Sequence, residues 1–379
     1  MIARGIIRLL AAVLEDPASR KPHPEDVRRI LLVETTRFGD LMAALGTYRR
    51  FTHTFPNATI TLAIHPAHAS VLRAIGVDCE VVSFPWPEDP MACINAILAL
   101  HERTFDHACS MSPSTKNSFL ALLAPAGIHS GYLDGNASMA PHREVLALDS
   151  TCPSIDPELI PYHTNLYHRA TAVADLIGCE MEPYRTFQIS PALSQRWASF
   201  ASGRDISLLN PIVVVHPFAG WTYREWPSAH VDGFIELLRD ACPDTRVVVL
   251  GTPRDIARVY PDGFTRRPEV STVGTLDWSQ SALLIAHATV FIGTDSGPLH
   301  LAAALGTPFL GLYGPASPAL TGPPLGVGKG LFADTECSPC DQRACIVPDH
   351  PCMHRHNPSS IFEAVAPYLL RTTSMVADG

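Results

Sequence analysis

From Arg29 onward, apolar positions follow two rhythms in turn. "RILLVE", "ATITLAIH", "CEVVSF" and "FDHACSM" are short apolar runs of strand length. Between them "LMAALGTYRRF", "ASVLRAIG" and "PMACINAILALHER" carry apolar residues at helical spacing. The pattern closes with a helix in "LYHRATAVADLIG", and a Pro- and Ser-containing stretch from 179 to 210 follows. A second alternation then begins. "PIVVVHP", "TRVVVLG", "TVFIGT" and "FLGLYG" read as strands, and "SAHVDGFIELLRDAC", "TPRDIARVY", "WSQSALLIAHA", "GPLHLAAALG" and "SSIFEAVAPYLLR" as helices. Strands that alternate with helices predict parallel sheets covered on both faces, here in two α/β halves with a cleft between them. The segment "GVGKG" at 326–330 follows no predicted strand and opens no helix. Residues 1–20 are expected to form an amphipathic helix, with Ile2, Ile6, Leu9, Leu10 and Val13 on its apolar face.

Composition narrows the class. The chain has 379 residues, 46% hydrophobic and 17% charged, enough for two well-cored domains. A formal net charge of -9 argues against a nucleic-acid partner. No apolar run approaches the ~18 residues of a membrane span. The N-terminus does not read as a signal peptide, because Arg8 interrupts its apolar run and Glu15-Asp16 stands where a cleavage site should be. A cytoplasmic location is therefore expected, with the six scattered cysteines reduced.

Three strand-to-helix junctions carry candidate chemistry. In "FIGTDSGPLHLAAALGTP" the strand ends at Asp295, Ser296 takes the N-cap position, and Gly297-Pro298 opens a helix stopped by Gly306. The free amides and dipole at such a mouth suit an anion such as a diphosphate, although a simple capped helix has the same pattern. In "ETTRFGDL", Asp40 lies on the first strand–helix turn, where a general base or an N-cap aspartate would sit. In "HPFAGWTYREWP", a strand leads to His216, Thr222 and Arg224, and a guanidinium there suits a diphosphate as well as an ordinary surface turn. No strand–GxGxxG–helix, Walker A or G-x-S-x-G motif is present, which argues against dehydrogenase, NTPase and α/β-hydrolase classes.

Four further cysteines are bunched. Cys337, Cys340, Cys345 and Cys352 have the spacing C-x2-C-x4-C-x6-C, with His350, His354 and His356 nearby. The first pair suits a metal knuckle, and the second is wider than in common zinc ribbons. A structural zinc or iron is one reading, and a loop held by packing or by a disulfide is the other.

"RILLVETTRFGDLMAALGTYRRF", "VVVHPFAGWTYREWP" and "ATVFIGTDSGPLHLAAALGTPFLGLYGP" together resemble, in order and spacing, the family 9 glycosyltransferases, the heptosyltransferases of lipopolysaccharide core assembly. The resemblance runs from about Arg29 to about Tyr368. It implies a GT-B fold, two Rossmann-like domains facing across a cleft. The N-terminal acceptor domain would span 28–185 and the C-terminal donor domain 206–358, with a closing helix over 359–371 packed back on the first domain. It implies inverting, metal-independent transfer of heptose from an ADP-activated donor to a lipid-linked or saccharide acceptor, with peripheral contact at the inner membrane face.

The same resemblance assigns residues. Asp40 matches the catalytic aspartate, and Lys116 a basic residue associated with the anionic acceptor. Asp295 matches a sugar-contacting aspartate, Ser296 and Gly297 the phosphate turn, and His300 the histidine on that helix. His216 and Thr222 join the donor-binding set, and Asp255 falls near an acidic ribose contact. Arg224 stands where a lysine usually contacts the diphosphate, and the two cations differ in geometry. Retaining GT-B enzymes carry paired glutamates eight residues apart, and here those positions are Asp295 and Ala303. The alternatives are a family member with a protein acceptor or another nucleotide sugar, since one branch carries a cysteine-ligated metal finger, and a non-catalytic nucleotide-binding protein.

Overall fold

A computed structural model of the chain describes residues 24–112, 114–132, 145–147, 165–180, 185–204, 206, 209–259, 271–324, 326, 328–340, 344–348 and 351–377. The expected helix at 1–20 and His350 lie outside them. The chain divides into two compact units. The first comprises Met1–Ala69 and Asp78–Tyr184, and the second Ser70–Val77 and Arg185–Gly379.

The first unit is built on a six-stranded sheet. Its strands are β1 (Arg29–Glu34), β2 (Thr59–Ile64), β3 (Glu80–Ser83), β4 (Phe105–Ser110), β5 (Ala126–Tyr132) and β6 (Val145–Ala147), in the order β3-β2-β1-β4-β5-β6. All pairs are parallel except β5 with β6. Beyond their first residues β1 and β2 are buried throughout, as strands covered on both faces must be. The helices α1 (Phe38–Thr54), α2 (Pro90–His101), α3 (Thr115–Leu123) and α4 (Leu166–Leu176) supply the cover. Leu31, Val33, Ala63, Leu100, Phe105 and Leu120 form one core between sheet and helices.

The second unit has a wholly parallel sheet in the order β11-β10-β9-β7-β8. Its strands are β7 (Ile212–His216), β8 (Arg246–Val249), β9 (Val290–Thr294), β10 (Phe309–Tyr313) and β11 (Gly328–Phe332). The longer helices are α5 (Ser228–Ala241), α6 (Trp278–Ala286), α7 (Gly297–Leu305) and α8 (Pro358–Ala377). In α5, Val231, Phe234, Ile235 and Leu238 make the buried stripe. Ile361, Val365 and Leu369 of α8 lie in the same core. Gly306 ends α7 at φ +74, a left-handed cap that a residue with a Cβ adopts only at a cost.

Three strands have no counterpart in the periodicity reading. β5 (AGIHSGY) carries too few large apolar residues to register as a strand. The short β6 pairs only with β5, at the margin of its sheet. β11 (GKGLF) begins inside the segment "GVGKG" and pairs in parallel with β10. A Cβ at Gly328 would strike the Phe309 ring, so here glycine permits close strand packing and does not mark a loop. Both sheets follow the doubly wound logic. The chain leaves its first strand in one direction and later returns to that strand's other side, at β1/β4 in the first unit and β7/β9 in the second. Ligands in such sheets bind beyond the carboxyl ends of the two strands flanking the reversal.

Burial holds several histidines neutral. Desolvation pushes His107 down to about 3, His68 to about 4 and His216 to about 4, from an ordinary 6.5. A depressed folded pKa means that the unfolded chain takes up these protons first as pH falls. Stability is therefore full above pH 6.5 and declines from there toward about 4. We expect urea midpoints to fall already between pH 6.5 and about 5, before most carboxylates titrate. His107→Asn should flatten that slope, and an unchanged slope would remove His107 from the account.

Candidate active site

At the first reversal, the residues after β1 meet those after β4. Arg37 occupies the N-cap of α1, so Asp40 lies inside the first turn, where the helix dipole favours a carboxylate. The N-cap alternative for Asp40 is thereby excluded. Asp40 is partly buried, and its Oδ2 is 3.2 Å from Thr36 Oγ1. Thr36 also donates to Glu34 Oε1, through its backbone N–H at 3.0 Å and through its hydroxyl. Glu34, the last residue of β1, is fully buried. Asn117 ties the two loops together. Its Oδ1 accepts from Thr35 N at 3.0 Å and Thr35 Oγ1 at 2.7 Å. Its Nδ2 donates to Glu34 Oε1 at 3.1 Å and Ser112 Oγ at 2.9 Å. All four hydrogen-bonding positions of that amide are filled, which fixes its orientation. Lys116 donates from Nζ to Thr35 O at 2.7 Å. Burial lowers the Lys116 ammonium, and the carboxylates of Glu34 and Glu88 oppose that shift.

At the second reversal, the residues after β7 meet those after β9. Ser296 holds the N-cap position of α7 with extended backbone, yet its side chain makes no capping hydrogen bond. Its hydroxyl instead lies 3.2 Å from His216 Nδ1 and 3.2 Å from Thr294 O. The Ser296 side chain therefore leaves the helix mouth uncapped, where Pro298 has no N–H and Leu299 N donates to Ser296 O at 3.1 Å. Arg224 sits in a short 3-10 turn, Thr222–Arg224, with Thr222 exposed. Its Nη1 lies 2.8 Å from Asp295 Oδ2 in an ion pair, and 3.4 Å from Asp295 O. The guanidinium also stands 5.4 Å from the Trp221 ring centroid. His300 Nε2 is 3.9 Å from Asp295 Oδ1, and Tyr313 Oη is buried beside this group without a hydrogen bond. Burial raises the Tyr313 phenol well above its usual value, and the Asp295 carboxylate adds to the shift.

The loop that carries Arg224 is anchored from behind. Trp226 Nε1 donates to His356 O at 2.7 Å, and His356 Nε2 pairs with Tyr313 O at 2.9 Å. Asp255, the expected ribose contact, makes a local contact at the end of β8. It is buried, and its Oδ2 accepts from Thr252 N at 2.7 Å and Thr252 Oγ1 at 2.6 Å in a capping box.

The profile of glycosyltransferase family 9 (heptosyltransferase) matches residues 95–350. Lipooligosaccharide heptosyltransferase 2 of Haemophilus influenzae is 32% identical over 310 residues, covering 78% of this chain and 86% of that protein. The chain belongs to glycosyltransferase family 9. A local match to lipopolysaccharide heptosyltransferase 3 of Escherichia coli, 33% identical over 106 residues, covers 31% of that protein. Among solved structures, E. coli ADP-heptose lipopolysaccharide heptosyltransferase II aligns with a TM-score of 0.70 at 20% identity, covering 90% of this chain and 99% of that one. The iron-containing dodecameric glycosyltransferase TibC of enterotoxigenic E. coli aligns with a TM-score of 0.55 at 13% identity, covering 92% and 77%. These likenesses establish the GT-B fold of the family 9 chain.

The four clustered cysteines of this family 9 chain come together. Cys337, Cys340, Cys345 and Cys352 line one cavity of about 20 Å³ with Tyr223 and Pro315, room for a water-sized guest. All four are free thiols. Cys345 Sγ donates to Val347 O at 3.2 Å. Among the described residues no three His, Cys, Asp or Glu side chains are arranged to hold a metal ion. The thiols are gathered but do not fit a bound zinc or iron as they stand.

Residue-by-residue reading missed Glu34, Thr36 and Asn117. Glu34 closes an apolar strand and Asn117 lies inside a helix, so neither shows a local signal. The pairing of Asp295 with Arg224 was likewise invisible, because the two lie on different strand ends. Arg224→Ala should leave the buried Asp295 carboxylate without its cation and cost about 3 kcal/mol. Adding Asp295→Asn should recover part of that loss, as read by urea denaturation. Equal stability of wild type and Arg224→Ala would mean that the pair contributes nothing.

Proposed function

We propose that this protein transfers heptose from ADP-heptose to a lipopolysaccharide inner-core acceptor, with inversion at the anomeric carbon. The observation that carries the reading is placement: both polar clusters lie where doubly wound sheets hold ligands, beyond β1/β4 and β7/β9. Asp40 accepts the proton of the acceptor hydroxyl as that oxygen attacks the anomeric carbon. The bond from that carbon to the ADP oxygen breaks, and its electron pair leaves with the diphosphate. A single displacement of this kind inverts the centre. Arg224 and the amides at Ser296–Gly297 stabilise the charge that grows on the leaving group. Asp295 turns its carboxylate to sugar hydroxyls once phosphate takes over part of its hold on Arg224, and His300 stands beside it. His216, neutral near pH 7, orients the Ser296 hydroxyl. Lys116 receives the anionic acceptor.

In this reading the cation at the leaving group is Arg224, so no metal is required for transfer. The cysteine loop is a structural element, and a zinc or iron there would need its thiols rearranged. The protein works in the cytoplasm with peripheral contact at the membrane. Among the described residues no helix is long and apolar enough to cross a membrane. Trp86, Met91, Ile94 and Leu98 make an exposed apolar stripe on and before α2, which supports that contact.

Two measurements test this. Asp40→Asn should keep the fold and ADP binding while lowering heptose transfer by roughly 10²–10⁴-fold. Transfer from ADP-heptose to purified inner-core acceptor, followed by mass spectrometry, reads the outcome, and near wild-type turnover would sink the assignment. Exhaustive treatment with a chelator should leave the same turnover unchanged. Lost activity, restored by added metal, would return the site to metal-assisted chemistry.

A further inference from the structure

Glu34 is a fully buried carboxyl that the proposed chemistry does not use, and its position is unusual. It ends the central strand of the first sheet at zero exposure. Its Oε1 is crowded with donors: Thr36 N, the Thr36 hydroxyl and Asn117 Nδ2. Its Oε2 is buried without a hydrogen bond of normal geometry. A carboxylate in that setting would carry its full charge at zero exposure, with one oxygen lacking a hydrogen bond of normal geometry, which is costly. The Thr36 hydroxyl stands between Glu34 Oε1 and Asp40 Oδ2, and it has a single hydrogen to give. Were both carboxyls ionised, one of them would go without it.

We propose that Glu34 is the positioning residue of Asp40. It carries the proton of the pair and leaves the Thr36 hydrogen directed at Asp40, so that Asp40 alone is the anion. This deepens the proposed mechanism and rests on the reading of Asp40 as the base. Two carboxyls linked through one hydroxyl then divide their roles, one neutral and fixed, the other charged and facing the reaction. Burial and the charge of Asp40 both push the Glu34 carboxyl up, and contacts from Ser112 and Thr36 oppose them. The other charged or titratable groups facing this cluster are Lys116, with Glu88 and His68 beyond it. Lys116 favours ionisation of Glu34, but its ammonium is committed to Thr35 O. Asn117, with every position filled, keeps Glu34 from turning toward solvent.

The test has three arms on the full-length protein. The infrared difference spectrum of wild type minus Glu34→Gln should show, at neutral pH, the carbonyl stretch of a protonated carboxyl. Its absence, with both proteins folded, overturns the proposal. Thr36→Val removes the hydroxyl donor while keeping the side-chain shape. The acid limb of the transfer rate, set by Asp40, should then move up by about one pH unit. Thr36→Ser should bring it back. A limb that does not move in Thr36→Val, or that stays shifted in Thr36→Ser, also overturns the proposal, because a purely structural role needs no hydroxyl. Asp40→Asn is the control. If it retains turnover, the base assignment fails on its own account, while the infrared band still reports where the proton of the pair resides.

Discussion

A parallel sheet covered on both faces leaves one place where polar side chains can gather in company: beyond the carboxyl ends of its strands. Everything chemical in this protein follows from that constraint. β1, β7, β9 and β10 are buried almost from end to end, so they can carry only apolar residues along their length. Each changes character at its last residue or just after it. Glu34 ends β1, His216 ends β7, and Asp295 follows β9. The strand order then decides which of these ends become neighbours, and the reversals at β1/β4 and β7/β9 select two pairs.

That ordering explains what could be read from sequence and what could not. The alternation of apolar runs displayed two α/β units, and the turns at Asp40 and Ser296 could be placed because each lies within a few residues of its strand. The partners of the residues beside them are 82 and 71 positions away, at Asn117 for Thr35 and at Arg224 for Asp295. No local pattern encodes such a meeting. Ser296 shows the limit well. Its N-cap position was legible, but its hydroxyl serves His216 and makes no capping bond. Asp255 adds a contact that its position did not reveal, because its carboxylate accepts from Thr252 in a local cap.

The two clusters solve the problem of buried charge in different ways. In the second unit, Asp295 is matched by a cation, and Arg224 keeps an edge toward solvent with 19% of its side chain exposed. Such a pair can be reorganised by an incoming anion, because a guanidinium offers five donors in a fixed fork. In the first unit, among the described residues, no cation pairs with Glu34, and the network around it is made of amides and hydroxyls. Neutral groups of that kind fix geometry and change little with ionic strength.

The tie from Trp226 through His356 to Tyr313 divides the second unit into a frame and an appendage. The indole holds the backbone of His356, and the imidazole of His356 holds the end of β10. The chain between those fixed points, from β11 to His356, includes the whole cysteine-bearing stretch. Both of its ends are clamped to elements that also set the position of Arg224. Its interior touches the same frame, since Cys340 N donates to Pro315 O at 2.9 Å and the Ser338 hydroxyl donates to Gly314 O. A change of ligation or oxidation among the thiols would therefore be felt at Tyr223, next to the guanidinium that faces Asp295.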